Sequence, residues 1–185
     1  SVVTIPGNID LAGDIDVDGT LETDALTIGG VAFTPSTTKQ VTHHMIKDDI
    51  GTGVIFIGLQ EADAETGSIG NKNLPLLAPV AGKLLKIFVR TNEDMSGSGH
   101  DTNLTWRLYT RAASATTGGN AAIIGTQTGA GPTASSMATY DFTSSLDDGV
   151  NTIVAGDKVL LSVQSDATSA DSSFFITCLW EWDLS

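Results

Sequence analysis

Positive charge is scarce in this sequence. Nine Lys and Arg stand against 22 Asp and Glu in 185 residues, giving a net charge of −13 with histidine neutral. Binding a phosphate backbone needs clustered cations, so the balance argues against a nucleic-acid partner. It argues equally against an anionic membrane surface. Aromatic residues are thin at 6%, and the single cysteine, Cys178, rules out an internal disulfide framework and a Cys-rich metal site. No apolar run approaches membrane-spanning length. The opening SVVTIPGN lacks the charged and then apolar segments of an export signal, an absence that fits a protein assembled in the cytoplasm and equally a cytosolic enzyme.

What is present points to strands. Hydrophobic residues reach 41%, too many for a disordered tail, and 20 glycines accompany abundant Thr, Ser, Ala and Asp. That mixture suits short strands and tight turns, whereas long helices are richer in Leu, Glu, Lys and Ala. The length is enough for one β-sandwich domain with a short appendage.

Residues 1–34 differ from the rest. They hold Asp10, Asp14, Asp16, Asp18, Glu22 and Asp24 but no Lys or Arg. Ile9 and Leu11, then Ile15 and Val17, recur at two-residue spacing, and Gly13 and Gly19 punctuate the run. Alternation of this kind marks strands with one buried face. Such strands are too short and too few to bury that face alone. Three copies around an axis, or a supporting surface, supply the missing core, so 1–34 reads as an N-terminal β stem or foot for docking and trimerisation.

Residues 35–185 read as one domain. Strands are expected at 41–46, 53–59, 74–80, 83–90, 103–111, 121–125, 138–143, 150–154, 157–164 and 173–183, with loops rich in Gly, Ser, Thr and Ala between them, 125–137 included. In 83–90, Leu85, Ile87 and Val89 face one way and Lys86, Phe88 and Arg90 the other. The last strand is the most emphatic. Phe174, Ile176, Cys178, Trp180 and Trp182 share one face, which marks Phe174, Ile176, Trp180 and Trp182 as core or interface residues. So many strands without a convincing helix predict an all-β fold, a jelly-roll-like β-sandwich behind the short stem.

The segment GNIDLAGDIDVDGTLETDALTIGGVAF resembles the glycine-punctuated β segments of bacteriophage fibre and virion-surface proteins. APVAGKLLKIFVR, VAGDKVLLSVQ and the closing FFITCLWEW resemble the trimeric jelly rolls of phage head decoration proteins, head fibres and tail-fibre tips, which are themselves similar to tumour-necrosis-factor-like sandwiches. The resemblance implies a homotrimer with a thin stem and a C-terminal knob, on the exterior of a virion assembled in the bacterial cytoplasm. Its partners would be the major capsid protein or other virion proteins. The alternative is a tail fibre that binds a host glycan or protein receptor, and a jelly-roll lectin or carbohydrate-active enzyme stands behind both. A decoration trimer needs only a foot and a knob, which is what the chain offers.

Candidate chemistry is sparse. Asp14, Asp16, Asp18 and Gly19 match the start of an EF-hand loop, but its twelfth position is Ala25 and no incoming helix fits around Pro6, Gly7 and Gly13. The aspartates therefore read as the solvent side of a strand, with a Ca²⁺ site at Asp14, Asp16 and Asp18 as the alternative and no other cofactor expected. His43 and His44 are adjacent, so in a strand they point to opposite faces and do not converge on one ion. His100 and Asp101 lie in a Gly/Ser-rich loop; SGSGHD lacks the spacing of a serine nucleophile elbow. Asp48–Asp49 and Asp147–Asp148 read as loop-solvating pairs. No catalytic residue emerges, and the expectation is a protein that is not an enzyme. Cys178 reads as a small buried hydrophobe, and Trp180 and Trp182 as core, with a sugar-stacking platform as the competing reading.

Overall fold

The computed structural model describes residues 18, 26–28, 31–33, 37–48, 50–59, 76–92, 95, 103–112, 121–133, 136–143, 146–166 and 172–184. The chain divides into two units, Ser1–Pro35 and Ser36–Ser185. In the first, β1 (Leu26–Ile28) and β2 (Val31–Phe33) pair antiparallel, with Leu26 opposite Phe33 and Ile28 opposite Val31. Gly29 and Gly30 lie between them in the sequence, the composition a two-residue hairpin turn demands. The alternating residues Ile9, Leu11, Ile15 and Val17 fall outside the described residues.

The second unit holds ten strands among its described residues: β3 (Thr37–Asp48), β4 (Ile55–Ile57), β5 (Leu76–Leu77), β6 (Gly82–Thr91), β7 (Asn103–Arg111), β8 (Ala122–Ala130), β9 (Met137–Asp141), β10 (Asp148–Gly149), β11 (Lys158–Ser165) and β12 (Ser172–Asp183). They form two antiparallel sheets. One runs β3-β12-β6-β9; the other runs β10-β8-β7-β11-β4, with β5 also on β11. Leaving aside the two-residue β5 and β10, the four-stranded sheet takes the first, eighth, third and sixth strands in chain order. The other takes the fifth, fourth, seventh and second. That interleaving is the double Greek key of a jelly roll. No helix occurs among the described residues.

The core lies between the sheets and follows from two-residue alternation. Phe174, Ile176, Cys178, Trp180 and Trp182 on β12 face Leu104, Trp106 and Leu108 on β7 and Val159, Leu161 and Val163 on β11 in one buried cluster. A smaller cluster of Phe56, Tyr109 and Leu160 packs separately from it. Two of the three tryptophan N–H groups are satisfied within the fold: Trp180 Nε1 donates to Thr42 Oγ1 at 2.9 Å and Trp182 Nε1 to Gln40 Oε1 at 2.8 Å. A buried indole N–H usually finds such a partner.

Three local features depart from the simple reading. The 125–137 stretch is not all loop, because β8 continues to Ala130. Its glycines serve close packing: a Cβ at Gly129 would stand 3.2 Å from the Tyr140 ring. In β6 the register shifts opposite Leu179 and Trp180, so Leu179 pairs with Lys86 and Trp180 with Leu84. This bulge buries Leu84 and Leu85 together, where strict alternation placed only Leu85 inside.

The expected strand 150–154 is instead a clamp. Ile153 bridges Gly82 of β6, and Asn151 sits in the left-handed region at φ 51°. The buried Asn151 amide donates to Leu84 O at 2.6 Å and Phe142 O at 2.7 Å, and its Oδ1 accepts from Leu84 N at 3.2 Å. Its own N–H donates to Ile124 O in the other sheet, so one residue ties the two sheets together.

Candidate functional site

The outer face of the four-stranded sheet is the surface with most chemistry. Alternation that buries one side of β12 turns Phe175, Thr177, Leu179 and Glu181 outward. Register then assembles rows across the strands. Met45, Phe175, Arg90 and Met137 form one row, and His43, Thr177, Phe88 and Thr139 the next. Val41, Leu179, Lys86 and Asp141 follow, then Lys39, Glu181 and Lys83.

The face changes character from end to end. At one end the charges neutralise each other: Lys83 Nζ lies 2.9 Å from Glu181 Oε1, and Lys86 Nζ 3.2 Å from Asp141 Oδ2. The Asp141 carboxyl is held below its usual range, chiefly because Thr143 donates to it through its hydroxyl and its N–H, with Lys86 adding to the effect. Exposed pairs of this kind contribute little stability, about 0–1 kcal/mol each. At the other end, large apolar side chains stand open to water. Met45 is 50% exposed, Phe175 49% and Met137 60%. Arg90 lies exposed among them and has no ion-pair partner among the described residues. His43 in the middle shares a 3.0 Å hydrogen bond with Thr177 Oγ1.

His43 and His44 do point to opposite faces. His44 lies on the inner side of β3, within 3.0 Å of Thr42 Oγ1, and burial lowers its pKa; a hydrogen bond with the Gly58 backbone works the other way. Cys178 is fully buried, and loss of hydration pushes its thiol up to about 12, so it is no nucleophile near neutrality. Phe174, Ile176, Trp180 and Trp182 are all buried between the sheets, which leaves no tryptophan face on β12 for stacking a sugar. Asp14 and Asp16 fall outside the described residues, and Asp18 is exposed at a bend. Among the described residues no three His, Cys, Asp or Glu side chains gather as a metal cluster.

In the sequence Phe88, Arg90 and Phe175 read as strand residues, with no role expected for the face they form. The available signal was the outward row of β12, in which Phe175, Thr177 and Leu179 run three positions without a charge.

No protein-family model matches the chain, and no curated protein matches it either. Among solved structures, Eiger TNF from S. frugiperda is similar at 12% identity and a TM-score of 0.33, covering 80% of this chain and 93% of that one. The empty head of Turnip Yellow Mosaic Virus is similar at 16% identity and a TM-score of 0.26, covering 91% of this chain and 90% of that one. Likenesses of this size carry no argument about function, which rests on the chain's own geometry.

Proposed function

We propose that this chain is a non-enzymatic structural protein of a bacteriophage particle, a homotrimer that decorates or cements the capsid or forms a head fibre on its exterior. The observation that carries self-assembly is the open apolar end of the four-stranded sheet, where Met45, Phe175 and Met137 lie in register around Arg90. A contiguous apolar patch on a soluble domain marks a surface that another molecule covers. A second copy is the partner always present at equal concentration. The viral assignment comes from the sequence likeness of residues 7–33 and of β6, β11 and β12 to phage surface proteins, and the acidic 1–34 segment supplies a foot for the shell.

Light scattering of the purified chain tests the assembly: a mass near three times 19.2 kDa is expected, and a monomer at micromolar concentration overturns it. Quantitative mass spectrometry of particles tests the location. A copy number on the scale of the shell subunits supports decoration, whereas a handful per particle favours the tail-fibre alternative.

A further inference from the structure

We propose that a second copy of this chain seats the flank around β10 on the apolar row of the four-stranded sheet, so that the assembly is built from face-to-flank contacts. The inference rests on the self-assembly reading above and names the surface that meets the face.

The flank is a preformed apolar strip. Asp148 and Gly149 pair with Thr126 and Gly125 at the edge of the six-stranded sheet. The chain then crosses to the other sheet, anchored inward at Asn151 and again at Ile153, which bridges Gly82. Between and beside those anchors Val150, Thr152 and Val154 are left outside. Val150 is the most exposed large hydrophobic among the described residues at 79%, and Val154 is 59% exposed. Gly149 holds the bend at φ 90°, where a Cβ would meet the Ile124 carbonyl at 2.3 Å, so the backbone here has little freedom to retract its valines. A strip already held in its exposed form loses little entropy when covered.

Charge selects the pairing. Two copies at −13 each repel, so a stable contact needs opposite charges at the seam. Exposed Asp147 and Asp148 head the strip, and it carries no Lys or Arg before Lys158. The apolar row of the face carries Arg90, and no carboxylate stands in that row. Apolar meets apolar and acid meets base when flank packs on face. A two-fold face-to-face pairing brings the two Arg90 rows together without an acid between them. Contacts between different patches close into a ring when the rotation permits, which agrees with a trimer rather than a two-fold dimer.

Charge reversal in the full-length chain tests the contact, with mass read by light scattering and folding by thermal melt. R90E alone and D147K/D148K alone should each still fold and melt cooperatively, because all three side chains are exposed, yet shift the mass toward 19.2 kDa where the parent is assembled. The combined variant R90E/D147K/D148K restores opposite charges in every contact and should recover the assembled mass. V150S should weaken assembly without touching any charge. If R90E dissociates the assembly while the flank variants leave it intact, the face is used but the flank is not its occupant, and this inference falls while self-assembly stands. Failure of the combined variant to recover also overturns the pairing. A monomeric parent chain overturns the self-assembly reading, and this inference with it.

Discussion

Asn151 offers the sharpest test of how the sandwich is closed. Replacing it with alanine removes three hydrogen bonds to buried backbone groups: Leu84 O, Phe142 O and Leu84 N. Each buried group left without a partner costs about 1–3 kcal/mol. The residue also sits at φ 51°, a region asparagine tolerates and alanine enters at a cost of about 1–2 kcal/mol. Taking the low end of each term gives roughly 3–5 kcal/mol, a large share of the ~5–15 kcal/mol that holds a native domain. Glycine separates the two terms. N151G keeps the left-handed freedom and loses only the hydrogen bonds, so it should be milder than N151A by about 1 kcal/mol. N151D keeps the shape but turns an acceptor toward two carbonyls, and it should be no better than alanine. Urea unfolding followed by tryptophan fluorescence, at one fixed protein concentration, reads all three variants. An N151A protein within ~0.5 kcal/mol of the parent, the range of ordinary surface substitutions, would refute the clamp.

Trp180→Ala empties a fully buried site and removes the hydrogen bond to Thr42 Oγ1, so it should cost about 3–5 kcal/mol and lower the melting temperature sharply or prevent soluble expression. An unchanged midpoint contradicts its place in the core. Burial lowers the His44 pKa below 6.5, so the unfolded chain takes up a proton there before the folded one does. Stability should therefore fall as pH drops below 6.5 and level off beneath the folded-state value, and His44→Gln should flatten that part of the profile. An identical slope in the variant refutes the assignment. Asp141, whose pKa is depressed, adds a separate loss further down, as pH falls through the carboxylate range. Deleting residues 1–34 should leave the sandwich folded, because its buried cluster lies within residues 46–182, and should abolish attachment to the particle. Full decoration by the truncated chain would refute the foot.

Much of the fold was legible in the order of residues. Alternation at 173–183 and 157–164 marks the buried faces of β12 and β11, because a strand offers its side chains to two sides in turn and only one meets the core. The same rule sends His43 and His44 apart and puts Cys178 inside. The absence of helix periodicity, with turn residues between short apolar runs, was enough for an all-β sandwich. Residues 1–34 lack any Lys or Arg, a boundary of composition that lies beside the division at Pro35.

The rest depended on what stands opposite. Gly129 belongs to a strand because the Tyr140 ring lies against it, a contact between residues with no local signature. Leu84 is buried because a bulge shifts β6 against β12, and register is a property of the pair rather than of either strand. Asn151 looks like a turn residue in sequence; only the approach of Leu84, Phe142 and Ile124 makes it a buried clamp. The outward row Phe175, Thr177 and Leu179 is readable, but its meaning is not. It became a surface when β3, β6 and β9 set Met45, Val41, Phe88 and Met137 beside it. A patch exists only where distant strands are brought into one plane, so pairing across the sheet decides it and the local order of residues does not.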